Sequence, residues 1–137
     1  MTATTHSGAV GAVKSSDALL RLAMRVDAVL VFVAGVAVLA FAGRLSELTG
    51  LSRPIEYASG VFFVVYGVVV LALAGIDRVR PAGIGTVIAN ALCTVIAVVA
   101  ALTLPLTAIG VAFVVAMGLY TALMAEWQFI GVRRITA

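Results

Sequence analysis

Four residues in this sequence are of a type that could move a proton or hold a small ligand within an otherwise apolar chain: Asp27, Asn90, Tyr120 and Glu126. Asp27 and Glu126 each stand at the border of a long uncharged run. Two carboxylates drawn together in a partly desolvated place repel one another, so that one retains a proton, as a relay requires. Asn90 lies between Thr86 and Thr94 at one-turn spacing, a polar row on an apolar helix that wants an interior partner. Tyr120 precedes Glu126 by six residues, about 9 Å along a helix. The sharper expectation is a polar vestibule facing the cytoplasm and formed by Asp27, Asn90, Tyr120 and Glu126. The plainer one pairs Asp27 with Arg78 or Arg80 and rests Glu126 in the lipid headgroups beside Trp127 and Gln128.

The elements that must position these residues follow from composition. Of 137 residues, 64% are hydrophobic and 11% charged, and the mean hydropathy is +1.22. So little polar surface cannot cover a water-soluble globule of this size, and lipid is the natural solvent. The net charge of +3 does not point to nucleic acid, because the nine basic residues lie scattered between apolar runs and form no stripe. Cys93 is a lone cysteine and His6 a lone histidine, so neither a disulfide nor a cluster of metal ligands is expected. No phosphate loop, redox motif or nucleophile beside a base is visible. The expectation is a chain without cofactor or metal that is not an enzyme.

A crossing helix needs about 20 apolar residues. Between Arg80 and Glu126 no residue is charged, a stretch that as one helix would reach about 68 Å. It must fold back, and Pro105 marks the place, since proline donates no backbone hydrogen bond and disfavours helix in the residue before it. Spans are expected over 24–43, 57–76, 82–104 and 106–126, within a membrane domain over 16–134. Residues 1–15, polar and rich in small side chains, are expected to be a disordered cytoplasmic tail. Asp27 and Arg44 leave the first span short, so its helix is expected to begin near Ser16, with Asp17 one turn before Arg21. Ala40-Phe41-Ala42 has the form of a signal-peptide cleavage site. The long charged segment ahead of it argues for an uncleaved span.

Because lipid cannot satisfy backbone polar groups, the fold class expected is all-α, a transmembrane four-helix bundle. Seven Lys and Arg flank one face (Lys14, Arg21, Arg25, Arg78, Arg80, Arg133, Arg134) and two the other (Arg44, Arg53). Both termini are therefore expected in the cytoplasm. Small residues permit close helix contact in lipid. Gly85, Ala89, Cys93 and Ala97 in span three, with Gly118 and Ala122 in span four, are the expected helix-packing residues. Partial identity between spans two and four at an offset of 50 residues hints at a duplicated hairpin.

Arg25-Val26-Asp27-Ala28, Asn90-Ala91-Leu92, Ala125-Glu126-Trp127-Gln128 and Gly131-Val132-Arg133-Arg134 together resemble a family of small uncharacterised bacterial four-span integral membrane proteins. Cys93 stands where that pattern has tryptophan. The resemblance implies a multi-pass protein of the bacterial inner membrane and brings no catalytic residue. The function expected first is a structural or accessory component of a membrane assembly, in contact with the lipid bilayer and with a membrane-protein partner or further copies of itself. The alternative is a small oligomeric transporter or channel built on the vestibule.

Overall fold

The structure, a computed structural model, describes residues 2–135, with side chains from Ser16 onward. In the tail expected to be disordered over 1–15, with a helix start near Ser16, residues 2–15 are instead helical and continuous with α1, while their side chains, His6 and Lys14 among them, lie outside those described. Four helices follow in chain order: α1 (Thr2–Thr49), α2 (Arg53–Leu73), α3 (Val79–Thr103) and α4 (Ala108–Arg134). All four are long and apolar enough to cross a membrane. The protein is an all-α transmembrane bundle.

Local sequence accounts for each turn. α1 breaks at Phe41 (φ −118°, ψ 19°), so its crossing segment is followed by a short second piece ending at Thr49. Gly50 stops that piece by adopting a positive φ of 83°, with its N–H returned to the Ser46 carbonyl at 3.1 Å. α2 opens with Pro54 in its first turn, where no intrahelical N–H is required. α3 ends as expected just before Pro105, with Leu104 already extended. Thr107 caps α4 by accepting from the Gly110 N–H at 3.0 Å.

α1 is the central helix. It packs along α2 and α4 and also reaches α3, α3 packs along α4, and α2 meets α3 only sparsely. The α1–α2 contact is nearly backbone to backbone. A Cβ on Gly67 would come within 2.7 Å of the Ala28 carbonyl, and one on Gly35 within 2.9 Å of the Gly60 carbonyl. At the end holding the two loops 50–52 and 104–107, a Cβ on Gly110 would overlap the Thr49 carbonyl, and that carbonyl accepts the Thr107 N–H at 3.0 Å. At the opposite end, which holds both termini, Leu20 packs on Gly83 and Gly131.

The packing residues expected from the sequence are only partly in place. Gly118 is buried against the Ala97 Cβ, and Ala89 and Cys93 are half-buried. Gly85 and Ala122 are exposed, and a Cβ on Gly85 would meet nothing within 4 Å. Geometry explains the correction. Residues four apart on a helix turn by about 40° at each step, so a row of such residues winds off any one face. α3 buries Gly83, Thr86 and Asn90 instead.

The tightest apolar cluster gathers Leu20, Met24, Ala28, Val70, Ala74, Val79 and Val132 at the terminal end. Arg21 closes that end. Its guanidinium donates to the carbonyls of Ala74 (2.8 Å), Ile76 (2.7 Å) and Asp77 (3.1 Å), and pairs with Asp17 at 3.0 Å. Cationic side chains at a helix C-terminus satisfy orphan carbonyls and oppose the negative end of the helix dipole.

Candidate functional site

Asp27 lies near the middle of α1 (Thr2–Thr49). It is completely buried, with 0% exposure. The expectation that it pairs with Arg78 or Arg80 does not hold. Arg21 spends its charge one helix end away, Arg25 is exposed, and among the described residues the ion pair is Asp17–Arg21.

The other three helices converge on the Asp27 carboxylate. Oδ2 accepts from Nδ2 of Asn90 on α3 at 2.9 Å, from Nε2 of Gln128 on α4 at 2.9 Å and from the hydroxyl of Tyr66 on α2 at 3.2 Å. Oδ1 accepts from the hydroxyl of Tyr120 on α4 at 2.8 Å. The amide groups are cross-linked as well, since Asn90 Nδ2 lies 3.1 Å from Gln128 Oε1 and 3.2 Å from the Tyr66 hydroxyl. Gln128 is 0% and Asn90 3% exposed. Every hydrogen-bonding group around the carboxylate is placed to donate to it, and a carboxylate can accept at both oxygens.

A second polar layer lies beside the first. The Thr94 and Thr121 hydroxyls are 2.7 Å apart across the α3–α4 contact; one donates to the other, which donates in turn to a carbonyl of its own helix, Asn90 for Thr94 or Gly118 for Thr121. Thr86 donates to the Gly83 carbonyl at 2.9 Å. No buried side-chain nitrogen or oxygen among the described residues is left without a partner, as a stable intramembrane network requires.

Three of the four residues singled out from the sequence, Asp27, Asn90 and Tyr120, thus meet at one point. Glu126 does not. It is exposed, and the reason is angular: Gln128 faces the carboxylate, and a residue two positions away points about 160° from it around the helix. Gln128 and Tyr66 take part where the sequence reading had not placed them. Tyr120 and Gln128 are eight residues apart, close to two full turns, so an inward Tyr120 already selects Gln128 over Glu126. Tyr66 immediately precedes Gly67, the α2 glycine of closest approach to α1.

The cluster is not a vestibule open at the terminal end. Leu20 and Met24, both 0% exposed, seal it there with their apolar neighbours. On the other side of Asp27 lies a cavity of about 270 Å³ lined by Leu30, Val31, Ala34, Phe63, Met117 and Tyr120.

A second buried acid occupies the loop end. Glu56, 5% exposed, accepts from the Thr49 hydroxyl at 2.8 Å, and that oxygen accepts in turn from the Leu51 N–H. Among the described residues no three of His, Cys, Asp and Glu are grouped to hold a metal ion. Neither family models, curated proteins nor solved structures provide a match to this chain.

Proposed function

We propose that this protein is a small ion-coupled transporter or channel, non-enzymatic, whose transported or coupling species is a single positive charge held at Asp27. The observation that carries this reading is a carboxylate with four neutral donors from three other helices and, among the described residues, no cation within ion-pair distance. An uncompensated charge inside a bilayer is expensive, and hydrogen bonds offset only part of its desolvation. Uptake of one positive charge would cancel it. If helix adhesion alone were needed, an amide at position 27 would supply it at lower cost.

The setting belongs to the same proposal. A place in the cytoplasmic membrane of a bacterium is supported by the resemblance to small bacterial four-span proteins, and cytoplasmic termini by the excess of Lys and Arg beside them. The apolar plug of Leu20 and Met24 would then face the cytoplasm and the cavity beside Tyr120 the exterior.

The test is reconstitution into liposomes under a potassium diffusion potential, with proton flux read from an entrapped pH-sensitive dye and sodium flux from a radioactive tracer. Flux of either ion that falls at least tenfold in Asp27→Asn supports the proposal. Flux unchanged by that substitution, or absent for both ions, overturns it.

One observation favours the accessory reading as second: the seam between α2 and α3, only sparsely packed and lined by Phe62, Val65, Val69, Gly85 and Ala89 among others, is a flank that another membrane helix would fill. Extraction in mild detergent with a stoichiometric larger partner would reverse the order of the two readings.

A further inference from the structure

We infer that Asp27 Oδ1 is a proton-binding atom, reached from the cavity beside it through the Tyr120 hydroxyl. The inference rests on the reading of Asp27 as the charge-binding site and names the charge and its path.

The two carboxylate oxygens are held differently. Oδ2 has three donors, two of them amide N–H groups that cannot reverse. Oδ1 has one, the Tyr120 hydroxyl at 2.8 Å, and a hydroxyl can donate or accept. A proton on Oδ2 would face donors on every side. A proton on Oδ1 needs Tyr120 alone to change role, and the remaining cage stays as it is.

Tyr120 also lines this space of about 270 Å³, a half-open groove whose other walls are apolar, so its hydroxyl is the polar partner that a water entering there would meet. A hydronium ion entering there gives its proton to the Tyr120 oxygen as the hydroxyl hydrogen passes to Oδ1. The old Tyr120 O–H bond breaks, a new one forms from the hydronium proton, and the Oδ1–H bond forms. Hydronium is left as water, the carboxylate becomes neutral, and no oxidant or reductant is involved. Tyr120 then accepts from Asp27 and donates to the water left in the cavity. Tyr66, hydrogen-bonded to both Asp27 and Asn90, remains a donor to Oδ2.

Among the described residues the groups around Asp27 include no cation, and the titratable ones are Tyr66, Cys93 and Tyr120, the amides of Asn90 and Gln128 being neutral. Tyr66 faces it from α2, Asn90 and the half-buried Cys93 from α3, and Tyr120 and Gln128 from α4. Arg21 is engaged at the α2 terminus and Arg25 points outward on the same helix. Release to the terminal side is opposed by Leu20 and Met24, so proton exchange takes place from the cavity side.

Infrared difference spectra between high and low pH, taken on detergent-purified protein carrying isotope-labelled aspartate, read the event directly. The expected result is a carboxylic-acid band that vanishes in Asp27→Asn, together with a labelled-tyrosine band that persists in Tyr66→Phe and vanishes in Tyr120→Phe. Ala34→Leu, which fills the cavity and leaves all five cage residues in place, is expected to slow proton uptake at least tenfold in a pH jump. Ala34→Val provides a milder filling should the larger side chain impair folding. An acid band that survives in Asp27→Asn, a tyrosine band that survives in Tyr120→Phe, or uptake at wild-type rate in both Ala34 variants overturns the inference. So does replacement of the acid band by a sodium-dependent spectrum when sodium chloride is exchanged for choline chloride at fixed pH. An acid band without proton flux in liposomes overturns the transport function while leaving the protonation site intact, and sodium flux without an acid band does the converse.

Discussion

At the scale of single residues, the Asp27 cage concentrates polar energetics in five side chains. Removing one of them leaves its neighbours buried and unpaired, at about 1–3 kcal/mol for each orphaned group. Asn90 contacts three cage members, so Asn90→Leu is expected to destabilise the bundle by about 3 kcal/mol, measured by reversible denaturation in detergent. Glu126→Gln is expected to change stability by less than about 0.5 kcal/mol, since the side chain is exposed. A double-mutant cycle between Asn90 and Gln128 should return a coupling of about 1 kcal/mol. Additive effects at these two sites would mean that their 3.1 Å contact carries no energy.

Helices set which residues can meet, and here sequence reading was both informative and incomplete. The break at Pro105 was legible because proline geometry acts locally, whereas the helix start expected near Ser16 was not, since α1 runs on from Thr2. Asp27, Asn90 and Tyr120 were legible because polar side chains in apolar helices have few reasons to be there. Gln128 and Tyr66 were missed because being inward is a matter of rotation about a helix axis, and charge drew attention to Glu126, two positions from the residue that faces in. Counting charges also paired Asp27 with Arg78 or Arg80, whereas its carboxylate faces neutral donors on the other three helices. The row of small residues misled for the same angular reason. Gly85→Ala is expected to stabilise α3 by about 0.5–1 kcal/mol through helix propensity, because nothing opposes its methyl group. Gly67→Val is expected to cost at least about 3 kcal/mol, since its side chain would run into the Ala28 carbonyl and Phe32. Thermal midpoints of the two variants in one detergent compare them directly.

For the whole molecule, four antiparallel crossings put both termini and the 74–78 connection at one end and the loops 50–52 and 104–107 at the other. Reporter tags on the two termini should label from one compartment and tags in the two opposite loops from the other. Termini labelled from different faces would contradict the four crossings. Arg21→Met should release the 74–78 connection, seen as faster proteolysis there, at a cost of about 2 kcal/mol in stability from the lost charge-assisted bonds. In this bundle α1 holds the network and the other helices close around it, which is why α2 and α3 need touch one another so little.

That centrality bears on how the chain is made. Asp27 leaves the ribosome in the first helix, while Gln128, one of its donors, follows 101 residues later. At about 5–20 residues per second, the wait lasts about 5–20 s. During it the acid lacks its two donors from α4, Tyr120 and Gln128. Nascent chains halted before α4 should therefore linger at the insertion machinery and fall to membrane quality-control proteases, while the same truncations carrying Asp27→Leu should escape into the bilayer.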